Sequence, residues 1–326
     1  MRDKAADLAG PGISTYEEVA RILPTDYEPI LPPMERMKAL YEVKRYIEDG
    51  LAEALNLNLV QVPLIVSKDS GVNDMLDRDG SRTPIEFACG LGLEKRIEAQ
   101  VVQAATKWKR VALKQFGCMP GEGINTDMRA VRKDYFLDHD HSAYVDQWDW
   151  ERVITAEDRN LEYLKDVVRK IWKVIRGAGL HAQQLFPELG NDRYPPIPEE
   201  LEFFHAEDIL AMYPDLPRKE RETRLIQEHP AVFIIGIGWV LEDGYPHEMR
   251  AADYDDWVTD TSAETGKPTH GLNGDILVWN PVTRRRHELT SMGVRVTKET
   301  LVQQMELAGL EDDLALPYHQ AILNDE

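Results

Sequence analysis

The sequence predicts an α+β domain with a mostly antiparallel sheet flanked by helices. Its apolar pattern places a long helix first, then strands, then a helical region, and finally strands in close succession, an order that favours this class. Residues 231–237 form a continuous apolar run, which is typical of a strand buried on both faces. The 326 residues, of which 43 % are hydrophobic, are enough for a sizeable core.

The first elements place a domain boundary near residue 33. Residues 1–32 are predicted to be an N-terminal appendage, and residues 33–326 the main domain. The main domain begins with one long helix over 33–56, as the spacing of its apolar residues indicates. A strand over 57–62 follows and ends at Pro63, because proline cannot donate a hydrogen bond to a strand ladder.

A second long helix is predicted after a cap formed by Thr155 and Asp158, and Gly177 and Gly179 are expected to end it. Four prolines within 187–198 predict a loop. The remaining elements are helices near 206–212 and 218–228, strands at 273–280 and 286–296, and an amphipathic helix around 301–308.

Composition excludes several classes of function. A formal net charge of -20 argues against a nucleic-acid surface and against an anionic membrane, because both attract Lys and Arg. Cys89 and Cys118 provide no disulfide framework and no metal-ligand spacing. No signal-peptide pattern is present, and no segment approaches the roughly 20 apolar residues of a membrane span. A cytoplasmic protein is therefore expected.

Residues 141–151 are the most informative stretch for function. Read as a strand, they place Gln147, Asp149 and Glu151 on one face and the indoles of Trp148 and Trp150 on the other. Because large aromatic side chains favour burial, the acidic face is expected to line a sheltered cleft. An ordinary half-exposed strand is the alternative interpretation.

Two later segments repeat this pattern. Asp275 opens an apolar strand, Glu288 and Thr290 are predicted to share a face of the next strand, and Arg295 follows a glycine. Three strands that carry carboxylates, a carboxamide, hydroxyls and an arginine predict a site for a small, highly charged ligand together with a cation.

The same segments supply positive charge through Lys109, Arg132, Arg250 and Arg295. An arginine fork suits phosphate or carboxylate, and carboxylates on strands suit Mg²⁺, so a nucleoside triphosphate with a small acid fits this set. No phosphate loop of the Walker type is present. Two ordinary interpretations remain open: the cationic run 107–110 as a solvated helix face, and His141 as a structural histidine rather than a catalytic one.

Six motifs closely resemble those of ammonia-dependent asparagine synthetase, the aspartate–ammonia ligase of the A type. The resemblance extends from about residue 33 to the C-terminus, and its motifs are residues 107–110, 121–123, 144–151, 253–257, 271–281 and 291–295. It implies a fold like the catalytic domain of class II aminoacyl-tRNA synthetases, closest to those for aspartate and asparagine. It also implies a homodimer built on residues 33–63.

The implied reaction joins L-aspartate, ammonia and ATP with Mg²⁺, through β-aspartyl-adenylate, to give L-asparagine, AMP and pyrophosphate. Carried over by motif, the implied catalytic residues are Asp74, Arg132 and Gln147. The implied substrate-binding residues are Lys109, Asp149, Asp255, Thr290, Ser291 and Arg295. Ser142, Arg250 and Asp275 would surround the nucleotide, and Asp275 and Glu288 would ligate Mg²⁺.

Two departures from the family pattern affect these expectations. Ala104 stands where the family has a serine, so one substrate hydrogen bond is expected to be missing. The family continues beyond the segment that matches 319–323 into a glycine-rich strand and a helix with an ATP-binding arginine. Weak ATP binding is therefore expected of these 326 residues, and an inactive paralogue that binds ligand or dimerises is the alternative. A tRNA synthetase is disfavoured by the net charge and by the short N-terminal appendage.

Overall fold

The computed structural model describes residues 27–74, 83–92, 94–133, 141–191 and 194–324. In chain order, the helices within these ranges are α1 (Pro33–Leu55), α2 (Thr106–Gln115), α3 (Leu161–Leu185), α4 (Ala206–Met212), α5 (Arg218–Glu228), α6 (Ser262–Thr265), α7 (Lys298–Leu307) and α8 (Pro317–Leu323). The strands are β1 (Leu57–Leu59), β2 (Ile65–Ser67), β3 (Glu86–Cys89), β4 (Ile97–Val101), β5 (Gly123–Val131), β6 (Tyr144–Arg152), β7 (Glu202–His205), β8 (Ala231–Ile235), β9 (Asn273–Asn280) and β10 (Arg285–Gly293).

The chain divides into two compact units. Among the described residues, those within 1–47 and 156–296 form the first unit, and those within 48–155 and 297–326 form the second. The N-terminal appendage predicted over 1–32 lies almost wholly outside the described residues, so its boundary stays a prediction. None of the helices in the described ranges is long and apolar enough to cross a lipid bilayer.

The sheet of the first unit has the strand order β10-β9-β8-β7. Strands β7 and β8 are parallel, whereas β8–β9 and β9–β10 are antiparallel. All five residues of β8 are buried, which confirms the interpretation of this apolar run as a strand covered on both faces. One of its faces packs Val232 and Ile234 against Ile209 of α4 and Leu225 of α5.

Helix α3 begins and ends elsewhere than predicted. The side chain of Asn160, not of Thr155, caps it by accepting a hydrogen bond from the Tyr163 N–H. Its helical conformation continues through both glycines to Leu185. The glycines serve packing instead, since a Cβ at Gly177 would lie 2.6 Å from the Tyr46 hydroxyl. The prediction that these glycines end the helix is therefore wrong.

The second unit contains two three-stranded sheets, with the orders β1-β5-β6 and β2-β4-β3. Of their pairs, β1–β5 is parallel and β2–β4, β3–β4 and β5–β6 are antiparallel. Ala112 and Leu113 of α2 pack against Ile124 of β5. Helix α2 therefore covers the face of the β5–β6 pair to which Ile124 belongs.

Helix α1 matches its predicted extent, but its apolar residues divide into two groups. Ile47 and Leu51, in the second half of the helix, are buried. Met37, Leu40 and Tyr41, in the first half, are 53–59 % exposed. The strand after it is shorter than predicted, because β1 ends at Leu59.

Candidate active site

The β5–β6 pair places the acidic motif as its alternation predicts. The register runs unbroken from Gly123 opposite Arg152 to Val131 opposite Tyr144. Because opposite residues of an antiparallel pair share a face, Gln147, Asp149 and Glu151 lie on the same face as Ile124. The two indoles on the other face are only half-buried, whereas Glu151 is 4 % exposed. Burial on the acidic face thus increases along the strand, from exposed Gln147 to buried Glu151.

Lys109 of α2 reaches this acidic face. Its side chain is 1 % exposed and forms an ion pair with Asp149. Its Nζ also lies 3.6 Å from Glu151 Oε2 and donates a hydrogen bond to the Trp150 carbonyl at 3.1 Å. We call Lys109, Asp149 and Glu151 the Lys109 cluster. The interpretation of this helix as a solvated cationic face is wrong for Lys107 and Lys109, because both are buried.

A buried polar network lies at the N-terminal end of α2. Asp74, which is 3 % exposed, accepts a hydrogen bond from the Thr106 N–H at 2.8 Å. Its neighbour Asn73 accepts from the Gln103 N–H at 3.0 Å, and the Gln103 carbonyl accepts from Arg132 Nε at 3.2 Å. Sequence reasoning missed Asn73 and Gln103. Asp74 and Arg132 are thus tied to one short segment, 103–106, at the start of α2.

The remaining predicted residues of the second unit lie on or just before β6. The Ser142 hydroxyl accepts a hydrogen bond from the Tyr144 N–H at 3.3 Å. Ser142 and Gln147 are exposed, and His141 is half-buried. The second unit therefore gathers its predicted residues around α2 and the β5–β6 pair.

In the first unit, the β9–β10 pair departs from simple alternation. The register shifts at Leu289, so that Glu288 lies opposite Leu277 and Thr290 opposite Ile276. This β-bulge places Glu288 on the same face as Asp275, and Thr290 on the other face. The expectation that Glu288 and Thr290 share a face is therefore wrong, because the sequence pattern does not reveal the extra residue.

Ser291, not Thr290, joins the charged face of this pair. It lies opposite Asp275, and its hydroxyl hydrogen-bonds to the Asp275 carboxylate. The Thr290 hydroxyl is buried without a hydrogen-bond partner among the described residues. A substrate role for Thr290 thus stays a prediction.

Four of the predicted residues in the first unit form a continuous series of ion pairs. Arg295 pairs with one oxygen of Asp255, and Arg250 Nε donates to the other at 2.9 Å. Arg250 Nη1 then donates to Asp275 Oδ1 at 2.8 Å. We call Arg250, Asp255, Asp275 and Arg295 the ion-pair chain. All four side chains are mostly buried, so solvent screens their interactions weakly.

Two neighbouring carboxylates keep Arg250 of the ion-pair chain positively charged. Burial alone would lower the pKa of Arg250, but the charges of Asp275 and Asp255 raise it above its ordinary value. Burial raises the pKa of Asp275, and the charge of Glu248 adds to this effect, against the opposing charge of Arg250. Glu248 and Arg250 therefore act on Asp275 in opposite directions, the first by repulsion and the second by attraction.

Asp255 and Arg295 are supported by a second buried ion pair that sequence reasoning missed. Asp256 is fully buried and accepts a hydrogen bond from Arg159 Nη2 at 2.6 Å. Arg159 Nη1 also donates to the Arg295 carbonyl at 2.6 Å. Because Arg159 joins the buried Asp256 carboxylate to the Arg295 carbonyl, it fixes the backbone that carries both predicted substrate residues.

Three carboxylates meet at one end of the ion-pair chain. Oxygens of Glu248, Asp275 and Glu288 lie within 4.8 Å of one another, and we call these residues the carboxylate triad. Burial and the charges of Asp275 and Glu248 raise the pKa of Glu288 to about 8. Oxygen donors of this kind suit Mg²⁺, and a divalent cation would relieve their mutual repulsion, so the residues fit the ion. Sequence reasoning missed Glu248, because the residues around it show no alternation that predicts a strand.

A profile of the aspartate–ammonia ligase family matches residues 34–326. Among similar proteins, an aspartate–ammonia ligase of Clostridium tetani is 44 % identical over 302 residues, which are 93 % of this chain and 82 % of that protein. Those of Bacteroides fragilis and Lactiplantibacillus plantarum are each 40 % identical, over 93 % of this chain and 85 % and 88 % of theirs.

Solved structures support the class II fold. An asparaginyl-tRNA synthetase of Entamoeba histolytica, in complex with asparaginyl-adenylate, superposes with a TM-score of 0.56 at 13 % identity. That of Pyrococcus horikoshii, also with asparaginyl-adenylate, has a TM-score of 0.59 at 14 % identity. The match covers 94 % and 87 % of this chain, but only 66 % and 60 % of those longer chains. With the fold shared and nearly its whole length matched, this chain belongs to the aspartate–ammonia ligase family.

Proposed function

We propose that this protein synthesises L-asparagine from L-aspartate, ammonia and ATP through a β-aspartyl-adenylate. In the first step, a β-carboxylate oxygen of aspartate bonds to the α-phosphorus of ATP, and the bond to pyrophosphate breaks. In the second step, ammonia bonds to the acyl carbon, the bond to AMP breaks, and nitrogen loses a proton. The observation that carries the proposal is the carboxylate triad beside the ion-pair chain, in a member of this family.

The triad and the ion-pair chain supply complementary parts of a nucleotide site. Asp275 and Glu288, with Glu248 beside them, would hold Mg²⁺, which neutralises phosphate charge when bound. Arg250 lies 2.8 Å from Asp275 and carries a fixed positive charge, which suits a phosphate oxygen. The nucleotide role of Ser142, in the segment before β6, rests on the resemblance alone.

Arg132 and Gln147 would stabilise charge that develops on the α-phosphate. Preorganised donors of this kind act strongly because they need no reorganisation during the reaction. Arg132 is held through Nε by the Gln103 carbonyl, so its Nη groups keep a defined direction. Gln147 is exposed on the acidic face of β6, two residues before Asp149.

The aspartate substrate carries one ammonium and two carboxylates, and the predicted residues match this pattern. The resemblance assigns the α-ammonium group to the carboxylates of Asp149 and Asp255. Within the first unit, Arg295 with Ser291 would bind a carboxylate. Lys109, buried and paired twice, would hold Asp149 in position. Asp74 would accept a proton from the incoming ammonium, since only neutral ammonia is a nucleophile.

Product analysis tests the reaction directly. Purified protein given ATP, Mg²⁺, L-aspartate and ammonium should form AMP and asparagine in equal amounts. Glutamine should not replace ammonium. Formation of ADP would contradict an adenylate intermediate. The control is Asp275→Asn, which removes the carboxylate that belongs to both the triad and the ion-pair chain.

A homodimer is part of the proposal. Its support is the exposed apolar group on α1, with Met34 69 %, Met37 54 % and Tyr41 59 % exposed, since such a patch marks an interaction surface. An interface of this kind buries more than about 2,000 Å². Light scattering that returned the monomer mass at micromolar concentration would reject the dimer. The cytoplasmic location stays a prediction.

A further inference from the structure

Helix α5 lies outside every motif of the resemblance, yet it presents a buried acid close to the carboxylate triad. The Glu222 side chain is 4 % exposed. One of its oxygens lies 3.0 Å from His247 Nε2, and the other lies 3.0 Å from Arg286 Nε. His247 precedes Glu248 in the chain, and Arg286 lies on β10 two residues before Glu288. Glu222 therefore contacts the neighbours of two triad members.

Arg286 is shared unequally between Glu222 and the triad. Its Nε lies 3.0 Å from Glu222, whereas its Nη1 lies 3.7 Å from Glu288 Oε2. The attraction between opposite charges grows as their separation shrinks, and Glu222 is almost fully buried, so water screens its pair with Arg286 little. Arg286 therefore interacts more strongly with Glu222 than with Glu288.

The groups that face Glu222 keep it ionised. Burial alone would raise the pKa of Glu222, but the charges of Lys219 and Arg286 and the hydrogen bond with His247 hold it well below its ordinary value. Arg218, on the same helix, forms an ion pair with Glu248 itself. Helix α5 therefore supplies fixed charges of both signs beside the triad.

We propose that Glu222 is a positioning residue for the carboxylate triad, which holds Arg286 and so keeps Glu288 open to a divalent cation. The inference rests on the proposed function, in which the triad binds Mg²⁺. Without Glu222, Arg286 is free to pair with Glu288 and competes with the cation. The loss of one negative charge near the triad acts in the same direction.

The test measures Mn²⁺ binding to the full chain without nucleotide, by electron paramagnetic resonance. Glu222→Gln should weaken Mn²⁺ binding by about tenfold, as loss of an outer partner of a metal ligand does. Glu228→Gln is the matched control, because Glu228 lies on the same helix, is 45 % exposed, and forms its ion pair with Arg224 rather than with Arg286. An unchanged affinity in Glu222→Gln would overturn the proposal.

Arg286→Gln separates this role from a merely structural one. It removes the competing cation, so it should tighten Mn²⁺ binding, the opposite sign to Glu222→Gln. A general loss of packing would weaken binding in both variants, and that outcome would also overturn the proposal. Arg286→Gln keeps the proposal testable even if Glu222→Gln fails to fold.

Glu288→Gln distinguishes this inference from the proposed function. If Glu288→Gln leaves Mn²⁺ binding unchanged, the triad is not the cation site and the proposed function loses its support. If Glu288→Gln weakens binding, Glu222→Gln should have a much smaller effect in that background, since only the loss of its negative charge remains. Additive effects of the two substitutions would show that Glu222 does not act through Glu288 and would overturn the inference alone.

Discussion

The β5–β6 and β9–β10 pairs are both antiparallel and both carry predicted site residues, but they differ in register. The β5–β6 ladder is unbroken, so Gln147, Asp149 and Glu151 share the face that alternation predicts. The β9–β10 ladder contains a bulge at Leu289, which separates Thr290 from Glu288. Alternation predicts faces only while the register is continuous, and a bulge beside a site redirects side chains.

The two pairs also differ in how their charges are balanced. In the Lys109 cluster, one buried ammonium lies between two carboxylates of the same strand. In the carboxylate triad, three carboxylates come from three separate segments. Arg218 pairs with Glu248 and Arg250 with Asp275, whereas Arg286 lies nearer to Glu222 than to Glu288. In the Lys109 cluster the protein supplies the cation itself. In the carboxylate triad three carboxylates converge on one point, which suits a bound cation.

Loss of the buried ammonium is expected to have the largest effect on stability. Lys109→Met leaves Asp149 and Glu151 without their cation, which should lower the free energy of unfolding by about 3–5 kcal/mol. Urea denaturation measures this change. Adding Glu151→Gln to the variant should recover part of the loss, and no recovery would show that the Lys109 cluster is not an electrostatic unit.

Arg132→Lys should give the next largest effect, on rate rather than stability. A lysine cannot reproduce the planar fork, and loss of one transition-state donor costs about a hundredfold in kcat. The melting temperature should change little. Near-normal turnover would remove Arg132 from the site.

Single-residue deletions test the difference in register itself. Deleting Leu289 removes the bulge while Glu288 stays opposite Leu277. Mn²⁺ binding should therefore be retained, and the melting temperature should fall only slightly. Deleting Asp146, an exposed residue within the unbroken β6 ladder, turns one part of that strand over and should cost far more stability. Equal losses in the two variants would contradict the assignment of Leu289 as the extra residue.

The smallest expected effect is a pH dependence in the sheet that contains β9 and β10. His205 accepts a hydrogen bond from the Glu207 N–H at 3.1 Å and so caps α4 in its neutral form, and burial lowers its pKa. The unfolded chain therefore binds more protons, so this stability is present above the ordinary value of 6.5 and is lost as pH falls. Urea midpoints of the wild type and of His205→Asn should diverge less at acidic than at neutral pH.

Local pattern was enough for much of the fold. Helices α4 and α5 lie where they were predicted, and β8 is buried as its continuous apolar run indicates. Local pattern failed for α3, where glycine preferences are overridden by the close approach of Tyr46 to Gly177. A helix breaker is tolerated where tertiary packing requires a residue without a side chain.

The candidate site divides in the same way. The sequence by itself determined the family, the charged face of β6, and the residue types that suit a nucleotide, a cation and a small acid. Only the tertiary structure decided that Glu248 joins Asp275 and Glu288, that Arg159 supports the loop of Asp255, and that Glu222 faces Arg286. These contacts join residues far apart in the chain, and their distances depend on strand register and helix packing, which periodicity along one segment does not encode.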